Sequence, residues 1–313
     1  MPDGILNLDK PQGPTSHDVV DRVRELTGVR RVGHAGTLDP MATGVLLVCI
    51  GKATRVSEYL VAGQKVYRAR VRLGIATDTY DAEGQVVPSV DPSVDPVEIG
   101  RDEVEAALAR FRGTIEQVPP MYSALKREGK PLHKLARQGV EVKREPRRIV
   151  ISRLELIEWE PPECTLEVTC SPGTYVRALA HDLGQALGCG AHLTGLARLA
   201  SGGFRLEDAV ALDTFARAAE KGRWPEFLHP IDAALAHFPA LHLDADTARR
   251  LCSGQAIVAP SAPAGHPPRA AGGIEEGTLA RVYGPDGVFL ALAAFDPATG
   301  TCRPHKVFYS PDH

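Results

Sequence analysis

No apolar run in the 313-residue chain approaches the ~18 residues that a bilayer-spanning helix requires. No N-terminal stretch couples a basic start to an apolar segment, so neither secretion nor membrane insertion is expected. The chain also has no excess of positive charge. Its 36 Lys and Arg stand against 39 Asp and Glu, a net charge of −3, so any nucleic-acid surface has to come from local clustering. Six cysteines, at 49, 164, 170, 189, 252 and 302, form no C-x-x-C pair and no metal-ligand spacing. Buried reduced thiols, a cytoplasmic location and no metal site are the expectation. The P-loop pattern G-x-x-x-x-G-K-[ST] is missing as well, which excludes the commonest glycine-rich phosphate cradle. What the chain has is length, enough for two domains and a sizeable core.

One stretch concentrates the chemistry. Gly33-His34-Ala35-Gly36-Thr37-Leu38-Asp39-Pro40-Met41-Ala42-Thr43-Gly44 is broken by glycines and a proline and reads as a loop, followed at once by the apolar run Val45 to Ile50. A loop anchored on a buried strand holds its side chains firmly, and these include one carboxylate, Asp39, and one imidazole, His34. By itself Asp39-Pro40 signals only a turn.

Around it the pattern alternates between strand and helix. Gly4 to Leu8 reads as a strand, and Ser16 as the N-cap of a helix carrying Val19, Val20, Val23 and Leu26 and ending at Gly28. Thr54 to Val61 reads as a short helix. Lys65 to Leu73 reads as a strand with Tyr67, Ala69, Val71 and Leu73 on an apolar face and Arg68, Arg70 and Arg72 on the other. Residues 87–100 are acidic and Pro-rich, a surface loop, and a helix with Val104 and Leu108 buried follows. Between Lys126 and Arg148 nine basic residues face three glutamates, the local cation cluster that the bulk charge hides. Strands are expected over Ile149 to Trp159 and Thr165 to Cys170, then a helix over Tyr175 to Leu187 with Arg177 in its first turn. Beyond Phe238 a Pro, Ala and Gly insert (Ala259 to Gly273) separates short strand-like runs, Leu279 to Tyr283, Val288 to Ala293 and Lys306 to Tyr309, a pattern of small β-barrels.

Taken whole, G-H-A-G-T-L-D-P-M-A-T-G resembles the catalytic motif of the TruB-family tRNA pseudouridine synthases, which act on uridine 55 of the T loop. The resemblance recurs in family order in Leu8-Asp9-Lys10-Pro11 with Gly13 and Ser16, in Lys65-Val66-Tyr67-Arg68, in Pro120 to Lys126, and in Gly173-Thr174-Tyr175-Val176-Arg177. It covers most of residues 4–235. It implies an α+β fold: a catalytic domain with a mixed β-sheet over 1–237, carrying a basic insertion at about 126–148, and a small PUA-like β-barrel over 238–313 that binds RNA.

The resemblance also assigns roles. Asp39 is implied as the reacting carboxylate, with attack at C1′, addition at C6 and abstraction of the 2′ proton all left open. Arg177 would hold it ionised and aimed, Tyr67 would stack on the uracil, and Tyr175 would bind substrate. Leu196 fits a wall of the uracil pocket and an ordinary core leucine equally well. His34 would enter the T loop in place of the extruded base. Lys10, Lys126, Lys130, Lys134 and Arg137 are expected to contact RNA. No cofactor and no obligate protein partner are expected, with the tRNA T stem-loop as partner. Two other readings share these motifs: a guide-RNA-dependent relative, disfavoured by the chain's own basic insert, and a tRNA-folding chaperone in which chemistry is secondary.

Overall fold

The computed structural model describes residues 2–88, 91, 93–123, 125–127, 130–136, 138, 140, 142–258, 278–296 and 299–309. They form two compact units, Met1–His229 and Pro230–His313. The expected boundary at 237/238 lies eight residues later, because the Ile231–Leu235 turn belongs with the second unit, where Tyr283 Oη donates to Asp232 Oδ2 at 2.7 Å.

The first unit is built on an 11-stranded mixed sheet. Its central strands run Gly4–Lys10, Thr43–Ile50, Ala191–Ser201, Lys65–Leu73, Glu163–Cys170, Arg147–Glu160 and Gly113–Gln117, in that spatial order. Most neighbours are antiparallel, but Thr43–Ile50 and Ala191–Ser201 run parallel and pair only at Ala197 with Thr43 and Arg198 with Gly44. The sheet therefore has two halves joined by a short seam, and each half has its own apolar cluster. One gathers Leu6, Leu8, Val19, Val23, Leu46, Val48 and Phe215; the other gathers Val71, Leu108, Ile151, Leu166, Val168, Leu179 and Leu183. Tyr67 and Leu196 pack against both clusters, which puts them at the seam.

Local sequence explains the elements that matter for the site. The Ser16–Thr27 helix ends on Gly28 in the left-handed conformation (φ 68°), as expected. Its N-cap is Thr15, however, whose hydroxyl accepts from the Asp18 amide while the Asp18 carboxylate accepts from the Thr15 amide. Ser16, expected to cap, turns inward instead. The Lys65–Leu73 strand alternates as the sequence indicated, with Ala69, Val71 and Leu73 buried and the arginines exposed. That outer face is neutralised across strands: Arg68 pairs with Glu167 at 3.2 Å and Arg70 with Glu163 at 3.0 Å.

In the basic segment, Lys126–Arg127 and Lys130–Pro131 pair as a two-stranded ribbon before the Leu132–Ala136 helix. The side chains of Lys126, Lys130 and Lys134, and all of Arg137, lie outside the described residues, as does the Ala259 to Gly273 insert.

The second unit is a PUA-like half-barrel. Its five-stranded sheet has the spatial order Ala240–His242, Thr278–Tyr283, Phe289–Asp296, Thr301–Val307, Ile257–Val258, closed over Leu241, Leu251, Val282, Leu290 and Ala291. The last long strand begins five residues before the expected Lys306. Pro304, which reads as a strand breaker, sits beside a register shift between Leu292 and Ala293, where the missing N–H is tolerated.

Candidate active site

The loop that carries Asp39 is fastened from four directions. His34 ends the short strand Val32–His34, paired with Val48, so the free loop begins at Ala35, later than the sequence indicated. Ser16 bonds Leu38 twice, its hydroxyl donating to the Leu38 carbonyl at 3.1 Å and accepting from the Leu38 amide at 2.8 Å. Arg198, 1% exposed, donates to the carbonyls of Val45 (2.7 Å) and Gly36 (3.0 Å). Gly44 makes that approach possible: its φ is 95°, and a Cβ there would lie 2.3 Å from the Arg198 carbonyl oxygen.

Lys10 is the fourth fastening, and it corrects an expectation. Far from an RNA-facing surface, it is wholly buried, and its Nζ donates to the carbonyls of Pro11 (2.9 Å), Pro40 (3.3 Å) and Ala42 (2.7 Å). Its position opposite Gly44 in the antiparallel pair of Gly4–Lys10 with Thr43–Ile50 aims the side chain under the loop. Burial lowers its pKa to about 8, against the pull of the Asp39 charge.

Asp39 meets Arg177 head-on. Arg177 Nη2 donates to Asp39 Oδ1 at 3.0 Å, and Nε lies 2.9 Å from Oδ2, an ion-pair contact that misses hydrogen-bond alignment. Arg177 is the second residue of the Val176–Leu187 helix, where the macrodipole disfavours a cation, and its side chain is 6% exposed. Compensation comes from a second carboxylate, Asp81, 3.2 Å from Nη1 and 5% exposed, and from the carbonyls of Thr79 (3.1 Å) and Tyr122 (2.9 Å). Asp81 is itself fixed, accepting from Thr79 Oγ1 at 2.6 Å and the Glu83 amide at 3.1 Å. The two carboxylates thus differ in kind. Asp81 is saturated and sealed, whereas Asp39 keeps 36% of its side chain open to an incoming ligand.

Of the remaining implied residues, Tyr67 and Tyr175 lie within electrostatic reach of Asp39, while Leu196 is on the Ala191–Ser201 strand and His34 on Val32–His34. Tyr67 faces Arg198 across the strand pair and hydrogen bonds to it, while burial pushes its hydroxyl above the usual tyrosine range, so the phenol stays protonated. Leu196, one strand over at the same seam, is partly buried. The backbone of Tyr175 is clamped by the Gln117 side chain, which accepts from the Tyr175 amide (2.8 Å) and donates to its carbonyl (3.0 Å). Burial pushes the Tyr175 hydroxyl up, with the Ser123 side chain opposing the shift. His34 is half-buried, and burial, with Arg198 and His17, holds its imidazole below the usual histidine range, hence neutral at pH 7. Among the described residues no group of His, Cys, Asp and Glu could hold a metal ion, and no helix is long and apolar enough to cross a membrane.

The site therefore offers one accessible carboxylate, locked to a buried guanidinium and within electrostatic reach of two protonated phenols. Comparison with known proteins identifies the family of the chain. A model described as the TruB family pseudouridylate synthase N-terminal domain matches residues 24–176, one for the tRNA pseudouridylate synthase B C-terminal domain matches 177–236, and one for the pseudouridine synthase II TruB C-terminal region matches 239–308. The chain belongs to the TruB family. It is 50% identical to the tRNA pseudouridine synthase B of Pseudomonas aeruginosa over 83% of this chain and 85% of the relative. It is 49% identical to that of Syntrophotalea carbinolica over 94% and 92%. Among solved structures, a chain of an H/ACA RNP bound to a substrate RNA containing 2′-deoxyuridine superposes with a TM-score of 0.73 at 25% identity, covering 99% of this chain and 86% of that one. A chain of a Cbf5-Nop10-Gar1 complex gives 0.73 at 27% identity, with the same coverage.

Asp81, Thr79, Ser16 in its inward role and Arg198 were not assigned to the site from sequence. The turn Asp78-Thr79-Tyr80-Asp81-Ala82-Glu83-Gly84, dense in carboxylates directly after a half-buried strand, is the signal that could have exposed Asp81.

Proposed function

We propose that the protein isomerises uridine 55 in the T loop of tRNA to pseudouridine, acting alone, without cofactor, and in the cytoplasm. The observation that carries the reading is the Asp39–Arg177–Asp81 arrangement, in which one carboxylate is sealed and the other is aimed and open. Isomerisation breaks the uracil N1–C1′ bond, turns the base, and forms C5–C1′ while the C5 proton leaves and N1 takes up a proton. No atom is gained or lost overall. Asp39 supplies the negative charge beside the ribose that the bond cleavage requires. Tyr67 and Leu196 receive the flipped uracil, and Tyr175 and Arg177 close the opposite side. His34, uncharged, fills the stack that the base leaves. Standalone action is supported by the chain's own basic segment, and the T stem-loop specificity by the twelve-residue motif around Asp39.

The test is to incubate the purified protein alone with an unmodified tRNA transcript and map pseudouridine by position. Conversion confined to position 55 is expected. Conversion only with added guide RNA or protein partners would overturn standalone action, and accelerated tRNA folding without any conversion would return the chain to the chaperone reading.

A further inference from the structure

Among the described residues Tyr80 is the one non-glycine with a positive φ, 66°. The left-handed region crowds a side chain, and glycine would occupy the position at no steric cost, so an aromatic ring held there has something to offset the strain. The ring lies face to face on His181, with 3.9 Å between centroids and 16° between planes. His181 Nδ1 is buried with no hydrogen-bond partner among the described residues. Burial, with Arg144, holds its imidazole below the usual histidine range, so the stacked ring is uncharged at pH 7.

The two rings join the two elements that meet at Arg177. His181 stands four residues after Arg177 in the Val176–Leu187 helix, one turn on along the same face. Tyr80 stands between Thr79 and Asp81, and both of these neighbours engage one nitrogen: Arg177 Nη1 donates to the Thr79 carbonyl at 3.1 Å and lies 3.2 Å from Asp81 Oδ2. The left-handed turn at Tyr80 lets a carbonyl and a carboxylate two residues apart converge on that atom. From the other side the Ala191–Ser201 strand grips the turn, with Leu193 donating its amide to the Tyr80 carbonyl and accepting from the Ala82 amide, both at 3.0 Å. Those bonds fix the turn to the sheet, whereas the stack ties it to the helix independently of Arg177. A guanidinium is a rigid plane, so fixing Nη1 fixes the direction in which Nε and Nη2 face Asp39.

We propose that Tyr80 and His181 are positioning residues for the reaction: their stack locks the Asp81 turn to the Arg177 helix, sets the plane of the guanidinium, and through it aims the Asp39 carboxylate. Rotation of the helix about its axis, which would swing Arg177 off Asp39, has to break the ring contact. The inference deepens the isomerase reading above and rests on it.

The test compares Tyr80→Gly and His181→Leu, which remove the stack but suit the turn and the helix, with Tyr80→Phe and His181→Phe, which keep it. On an unmodified T stem-loop, the two ring-removing variants are expected to lower kcat about tenfold or more with KM within about twofold of the wild type. Their combination should fall no further than either alone, because both act through one contact. Both phenylalanine variants should keep near-wild-type kcat. A second arm needs no RNA: the loss of urea stability on Asp81→Asn should be smaller in the Tyr80→Gly background than in the wild type, since the loosened turn no longer holds the carboxylate against Arg177. If Tyr80→Gly fails to fold, His181→Leu carries both arms. Unchanged kcat in the ring-removing variants, or a rise in KM with kcat held, would overturn the positioning role, the second by making the stack an RNA contact. Absence of pseudouridine with the wild type would instead overturn the isomerase reading, and an undiminished cost of Asp81→Asn would overturn the role of the stack on its own.

Discussion

Arg177 shows how much of the site depends on single side chains. A guanidinium buried at the N-terminal turn of a helix is unfavourable, and two carboxylates and two carbonyls offset it. Removing the sealed partner leaves an incompletely compensated buried charge, whereas water reaches the open one. Asp81→Asn is therefore expected to lower unfolding free energy by about 3–5 kcal/mol, and Asp39→Asn by clearly less; urea unfolding of both checks this, and a reversed order would contradict the division between them. Burial also sets a pH response. Lys10 and Lys65 are both lowered to about 8 from 10.5. Between those values each lysine is protonated in the unfolded chain and not in the folded one, a contribution that raises stability with pH from about 8 to 10.5 and is lost as pH falls back through 8, against the opposite slope of Cys49 and Cys164, whose thiols burial pushes up to about 12. Denaturant midpoints of the wild type and Lys65→Met across that range isolate it: the variant should lose the rising contribution, and identical pH slopes would count against the burial of that ammonium. Asp39 and Arg177 were legible because each sits in a distinctive string. Lys10 was misread because lysines are ordinarily exposed, and its burial depends on carbonyls of Pro40 and Ala42, some thirty residues away.

Elements were more legible than their ends. The Lys65–Leu73 strand could be read because its alternation reports burial directly, and the Ser16–Thr27 helix because its apolar spacing and Gly28 stop agree. Which of two adjacent hydroxyls caps that helix was not decided by spacing, since Thr15 and Ser16 have the same local chemistry and only the distant Leu38 distinguishes them. The two should respond differently to mutation. Thr15→Ala is expected to cost about 1 kcal/mol of stability through the lost cap and leave kcat nearly unchanged. Ser16→Ala removes both bonds to Leu38, one residue from Asp39, and should lower kcat more than it lowers Tm. Matching effects on kcat would show that the loop does not depend on Ser16.

At the scale of the whole chain, each compact unit has an apolar cluster of its own, and every residue of the Asp39 site lies in the first. A chain ending at His229 should fold and retain activity on an isolated T stem-loop, while binding full-length tRNA more weakly, because only the full molecule engages a second domain. A folded truncation that is inactive on saturating stem-loop would place part of the active site in the C-terminal unit. The division into two domains was visible in the shift of composition after Phe238, whereas the Asp232–Tyr283 bond that ties the Ile231–Leu235 turn to the second unit spans 51 residues and leaves no local mark in the sequence.

A role for Asp39, aimed by Arg177, as the reacting carboxylate is tested by single-turnover release of tritium from tRNA labelled at C5 of uridine, with tRNA binding measured in parallel, for the wild type and Asp39→Asn. Release by the wild type is expected, with a loss on the order of 10³-fold or more in the variant and affinity for tRNA nearly unchanged. Release by Asp39→Asn within tenfold of the wild type would contradict it.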